Sequence, residues 1–278
     1  MQPSAAYTLG PVRGLLLINP RSGDDRGPRI EELRDNAGAC GLEAHVLAAG
    51  EEISELARSA EVDVLGAAGG DGTLASVAAV AVDRDLPFVA VPFGTRNHFA
   101  RDLGLDPGDP FAALAGFSGD ERRIDVGQAG GRRFLNNVSL GLYAALVHRR
   151  EHHRRRREML ADVRALGLSL SHRSQRWATI DGEPVSAPVL LVANNAYELS
   201  LLSIGERKRL DEGSLYLYAA RGWLPRHWDE RRGERFTIDA PGGRLDAAVD
   251  GEPAELETPL ELSINPGALR VRLPRAPG

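Results

Sequence analysis

The N-terminal part of the chain holds three stretches whose residue types suit phosphate chemistry: INPRSGDDRG from Ile18, GAAGGDGTLASVAAV from Gly66 and VPFGTRNHFARDLGL from Val91. In the second, Gly69, Gly70 and Gly72 remove side chains from around Asp71. Backbone N–H groups can then approach an anion, and the helix that follows directs its positive end at it. Asp71 becomes the charged side chain nearest that anion. The first stretch adds a turn with Asn19, Pro20, Ser22 and Gly23; the third opens another helix with Gly94, Thr95 and Asn97. Neither GxxxxGK[ST] nor GxGxxG is spelled out, which argues against a P-loop NTPase and an ordinary dinucleotide-binding fold. A lone glycine-rich turn between strand and helix is a weak sign, so the weight rests on the three loops occurring together.

Positioning such loops requires strands that end together. Short apolar runs at 12–18, 42–47, 62–67 and 88–91 alternate with helical stretches at 29–39, 53–59 and 73–82, the pattern of parallel strands joined by crossover helices. In an open sheet of this kind ligands sit outside the carboxyl ends of the strands. The three loops follow the first, third and fourth of them. After SGDERR the texture changes to short alternating runs with DG, GG and PG turn signals, at 122–126, 133–138, 176–180, 189–193, 214–219, 234–238 and 260–264. That is an antiparallel β domain, with one basic helix inserted at 142–166. IDGEPV at 180–185 and VDGEPA at 249–254 echo each other as two hairpin turns of similar chemistry.

Composition narrows the function classes. At 278 residues the chain can bury its core without staples. Its single cysteine, Cys40, excludes an intrachain disulfide and a CxxC site, fits a reducing compartment, and reads as a small buried side chain. The N-terminus has no signal-peptide pattern and no stretch is apolar enough to span a bilayer. A net charge of −5 argues against general nucleic-acid binding. Against that acidic background, HRREHHRRRR at 148–157 points to a local contact with an anionic surface. His148 and His152 share a helix face there, but the neighbouring arginines disfavour a bound cation.

Together, NPxSG, GGDGT and PxGTxNxFAR, in this order and spacing, resemble the diacylglycerol kinase catalytic family, shared with sphingosine and ceramide kinases and soluble bacterial lipid kinases, and related to NAD kinase. The likeness continues through FLNNVSLGL at 134–142, DEGSLYLYAARG at 211–222 and VDGEP at 249–253. It implies an α/β N-terminal domain of the NAD kinase/diacylglycerol kinase type, with a Rossmann-like parallel sheet, over residues 1–120. A C-terminal antiparallel β-sandwich over 121–278 would take the lipid acceptor, its extreme C-terminus packing back on the first domain. The implied activity is phosphorylation of a lipid hydroxyl by ATP, diacylglycerol to phosphatidic acid or a related lipid alcohol, by a cytoplasmic protein peripherally attached to the membrane.

The same resemblance assigns residues. ATP would lie against Asn19, Pro20, Ser22 and Gly23, against Gly69, Gly70, Asp71, Gly72 and Thr73, and against Gly94, Thr95 and Asn97. Asp71 is linked to Mg²⁺ and catalysis, and Glu252 is the general base, with Asp250 the alternative. A second metal site takes the carbonyls of Arg209 and Ser214 and the carboxylate of Glu212, where the family pattern has aspartate. Arg96 and His98 stand in place of the family's GTGNDFA residues, and no threonine follows the second strand. Two other readings share these features: an NAD kinase-like small-molecule kinase, and a catalytically silent lipid- or nucleotide-binding regulator.

Overall fold

The structure is a computed structural model and describes residues 13–22, 30–94, 97–141, 177–185, 187–198, 206–220 and 228–275. The basic run at 148–157, with the helix expected around it, lies outside these residues. The chain divides into two compact units, the first comprising residues 1–125, 209–211 and 266–278, the second 126–208 and 212–265.

The first unit is built on four parallel strands, β1 (Gly14–Ile18), β2 (Glu43–Val46), β3 (Val64–Gly69) and β4 (Phe88–Pro92), in the order β2-β1-β3-β4. Every residue of β1, β3 and β4 is buried, as expected of strands covered on both faces. Helix α1 (Ile30–Ala39), the short α5 (Pro110–Ala113) and the 3-10 turn Leu114–Ser118 cover one face, contributing Leu33, Ala37, Leu114 and Phe117 to a core with Leu16, Ile18, Ala68 and Val91. Helix α3 (Asp71–Asp83) packs on β3 and against α2 (Ile53–Ser59). By strand alternation it meets the other face, where Leu15, Leu17, Leu65 and Ala67 point. Helix α4 (His98–Asp102) follows β4.

The second unit is a sandwich of two antiparallel layers. One layer runs β12 (Trp228–Gly233), β11 (Leu215–Ala220), β10 (Val189–Asn194), β7 (Asn137–Gly141), β14 (Arg244–Val249) and β15 (Glu252–Glu257). The other holds β13 (Arg235–Asp239) between β8 (Ala178–Ile180) and the start of β16 (Leu260–Leu273), with β9 (Glu183–Val185) beyond β8, and β5 (Asp120–Ala129) paired with β16 and β6 (Arg132–Phe134). Val138, Leu140, Val192 and Leu217 from the first layer share a core with Phe134, Ile180, Ile238 and Leu262 from the second. Strand β16 ends in the first unit, where Val271 pairs in parallel with Phe88.

Three local expectations change. The run at 133–138 is not one strand but β6 and β7, separated at Leu135-Asn136, whose N–H groups bond to the Asp250 side chain. The run at 260–264 extends to Leu273. Cys40 is exposed, just past the end of α1, rather than buried. The paired DG turns do behave as hairpins: Asp181 and Gly182 have φ of 51° and 82°, Asp250 and Gly251 of 49° and 83°, the double positive φ of a type I′ turn.

Candidate active site

Three of the loops that reading the sequence singled out meet around the first turn of α3. The backbone N–H of Asn19 donates to the Ala68 carbonyl at 3.0 Å, fixing the end of β1 to the end of β3. Its side-chain Nδ2 donates to Thr73 Oγ1 at 2.8 Å, and its Oδ1 accepts the Arg21 N–H at 3.0 Å, closing the turn over Pro20. Ser22 Oγ lies 3.5 Å from the same threonine hydroxyl. Asn19, Ser22 and Thr73 therefore place polar atoms beside the N-terminus of a 13-residue helix whose cap residue, Gly70, makes no side-chain cap. The first N–H groups of such a helix need an acceptor, and its dipole favours an anionic one.

Glycine shapes the space over that turn. A Cβ on Gly69 would fall 2.5 Å from the Thr73 Cβ, so glycine there lets the loop fold tightly onto the first turn of α3, and one on Gly94 would fall 2.6 Å from the Gly70 Cα, so that position carries the close approach of the β3 and β4 loops. A Cβ on Gly70 would meet nothing among the described residues within 4 Å. Gly72 is the second residue of α3. Gly23 and Thr95 lie outside the described residues.

Asp71 is occupied in a way its sequence position did not announce. Its Oδ1 accepts the Phe99 N–H at 2.9 Å and its Oδ2 the His98 N–H at 3.2 Å, so the first residue of α3 caps the start of α4. Asn97, just before α4, is in the left-handed region at φ 49° and 2 % exposed. Its Nδ2 donates to the Gly94 carbonyl at 2.6 Å, while its buried Oδ1 has no partner among the described residues. The His98 side chain is exposed. In the threonine-less loop after β2, Glu51 accepts from the Ala48 N–H at 2.8 Å and pairs with His45 Nε2 at 2.7 Å; those bonds hold its carboxyl below the usual range.

The second unit separates the two carboxylates proposed as bases. Asp250 accepts three backbone N–H groups, from Leu135 at 2.8 Å, Asn136 at 2.7 Å and Asn137 at 3.1 Å. Burial pushes its pKa up to about 6, against the opposing pull of those donors and of the Arg207 charge. Glu252 is exposed at the first position of β15, directly after the I′ turn. Asp250 thus clamps the turn through three N–H groups, whereas the Glu252 side chain is exposed.

Glu212 accepts nothing at its buried Oε2 among the described residues, while the carboxylate hydrogen-bonds Tyr216, whose phenol is pushed up first by burial and then by that bond. The Ser214 carbonyl accepts the Asn195 N–H at 3.1 Å. Arg209, exposed in the first unit, bonds Asp211 through its side chain at 3.0 Å. Among the described residues no three acidic, histidine or cysteine side chains cluster as a metal site.

Residues 13–129 match the diacylglycerol kinase catalytic domain. A probable YegS-like lipid kinase of Pseudomonas aeruginosa PAO1 is 32 % identical over 257 residues, spanning 80 % of this chain and 80 % of its own length. The chain belongs to the diacylglycerol kinase family of lipid kinases. A Pseudomonas fluorescens relative, also a probable YegS-like lipid kinase, is 30 % identical over 242 residues, covering 75 % of this chain and 76 % of that protein. A diacylglycerol kinase structure from Bacillus anthracis str. Sterne shares the fold, with a TM-score of 0.67 over 94 % of this chain and 96 % of that one at 17 % identity.

What reading the sequence missed in this lipid kinase is a buried polar network in the second unit. Arg207, 2 % exposed, donates to the Leu135 carbonyl at 2.6 Å, the Asn194 carbonyl at 2.9 Å and Asn136 Oδ1 at 2.7 Å. Asn194 Nδ2 donates to the same Leu135 carbonyl, and Asn195 links Asn194 to the Glu212 N–H. The signal available was the pair of Asn-Asn steps, FLNNV and VANNA, inside otherwise apolar runs. Arg207 itself is hidden in the charged string ERKRLDE.

Proposed function

We propose that this protein transfers the γ-phosphoryl group of ATP to a lipid hydroxyl, with diacylglycerol as acceptor, forming phosphatidic acid. The observation that carries the nucleotide half is the open side of Gly70, where nothing among the described residues lies within 4 Å of a would-be Cβ, at the start of α3 with Asn19, Ser22 and Thr73 beside it. The helix N-terminus and these hydroxyl and amide groups would hold phosphate oxygens, with Thr95 and Gly94 completing the loop. In phosphoryl transfer most of the catalysis is positioning and charge neutralisation, which suits a cradle of fixed backbone donors.

Glu252 is the group proposed to take the proton of the lipid hydroxyl as that oxygen attacks phosphorus; its exposure leaves it room to do so. Asp71 keeps on each oxygen the lone pair not used by α4, and would hold Mg²⁺ there. The buried Oε2 of Glu212, without a partner among the described residues, fits a second ion, with the Ser214 and Arg209 carbonyls near it in the sequence. When bound, Mg²⁺ supplies positive charge to the phosphate oxygens. In this reading the protein works at the bilayer surface, held by the basic run at 148–157.

Calorimetric titration of the wild type and Gly70→Val with ATP and Mg²⁺ tests the cradle. Valine at this position meets no described atom at its Cβ but fills the open side, so the variant should fold and lose most of its ATP affinity. A folded variant that binds ATP as the wild type does would place the nucleotide elsewhere.

A further inference from the structure

The 135–137 segment is gripped from two sides by opposite charges. Asp250 accepts its three N–H groups, and Asp250's own N–H donates to the Asn137 carbonyl at 2.9 Å. From the other side Arg207 donates to the Leu135 carbonyl and to Asn136 Oδ1, with its guanidinium 5.3 Å from the centre of the Tyr197 ring. Burying a guanidinium is costly, and an apolar side chain filling the same space would often serve stability as well or better. A fork of fixed donors does something an apolar side chain cannot: it sets the position of each acceptor it meets.

What that position controls lies two residues from Asp250. The I′ turn joins β14 to β15 with Val249 paired to Glu252, leaving no slack between the clamped aspartate and the glutamate. We propose that Arg207 is a positioning residue for Glu252: by fixing the 135–137 segment that Asp250 grips, it sets where the hairpin tip presents the base. This rests on the assignment of Glu252 as the proton acceptor. Asn136 belongs to the same device, as the side chain that holds the second arm of the guanidinium.

The test is a set of double-mutant cycles on the full-length protein, with transfer of label from [γ-³²P]ATP to bacterial lipid extract in mixed micelles as the readout. Arg207→Met, Arg207→Lys and Asn136→Ala are each made in the wild type and in Glu252→Gln. Misplacing a catalytic group by about 1 Å can cost about 10²-fold, so Arg207→Met should lower kcat by about tenfold to a hundredfold, with Lys and Asn136→Ala losing less. KM for ATP should stay within about twofold of the wild type, since the nucleotide groups are on other elements. In the Glu252→Gln background none of the three should lower kcat further, because the group they position is already gone. Asn136→Ala leaves the guanidinium in place, so it reports even where Arg207→Met does not fold. Losses that multiply with that of Glu252→Gln, or wild-type kcat in Arg207→Lys and Asn136→Ala, would overturn the positioning role. Wild-type kcat in Glu252→Gln alone would instead remove the base assignment on which it rests.

Discussion

Asp71 uses one lone pair on each oxygen to hold the N–H groups of His98 and Phe99, so replacing it touches both structure and chemistry. Asp71→Asn keeps the shape but turns an amide NH₂ toward one of those donors. A lost cap costs about 0.5–2 kcal/mol, read as a lower midpoint in urea. If the charge also acts on the transferring phosphate, turnover should fall by about 10²-fold or more. A variant with the stability loss and near wild-type turnover would confine Asp71 to capping. Asp250 gives a second test, in pH. An unfolded aspartate titrates near 3.9, whereas the folded group sits at about 6, so between these values the folded state holds the extra proton. Stability from this residue is thus full below about pH 4 and falls as pH rises through about 6. The urea midpoint of the wild type should therefore fall, relative to Asp250→Asn, across that window. A difference that stays flat from pH 4 to 7 would mean that burial does not raise this carboxyl.

At the level of elements, the parallel strands and their loops were legible because their chemistry is local. Buried strands read as apolar runs, and Asn19, Gly69, Gly70 and Asn97 are residue types that a tight, polar turn demands. The break between β6 and β7 was not legible, since the partners of Leu135 and Asn136 are Arg207 and Asp250, far along the chain. Nor was the place of Phe117, in a 3-10 turn that no periodicity marks. Its ring lies where a Cβ on Gly66 would be, 2.4 Å from Cζ, and against Gly14, at 2.7 Å from Cδ1. The glycines that look like weak points in β1 and β3 are the socket for that ring. Gly66→Ala should accordingly destabilise the fold by about 1–3 kcal/mol, as overpacking does. Phe117→Leu in the same chain should recover part of the loss. Denaturation curves in which the two changes simply add would show that ring and socket do not meet.

For the molecule as a whole, no helix among the described residues is long and apolar enough to cross a membrane. In the proposed reading the lipid acceptor is met at the bilayer surface. The sequence offers Arg149, Arg150 and Arg154 to Arg157 for that contact, each worth up to about 1 kcal/mol against an anionic leaflet. Co-sedimentation should occur with anionic but not zwitterionic vesicles. It should be lost in high salt and when Arg154, Arg155, Arg156 and Arg157 become Gln. Binding that ignores both lipid charge and these substitutions would end the docking reading while leaving the phosphoryl-transfer reading intact. That central claim is tested most directly by incubating the purified protein with [γ-³²P]ATP, Mg²⁺ and diacylglycerol in mixed micelles, then extracting into chloroform. Label should enter phosphatidic acid with wild-type protein and not with Gly70→Val; label that stays in the aqueous phase as phosphate, or that enters NAD instead, would overturn phosphoryl transfer to the lipid.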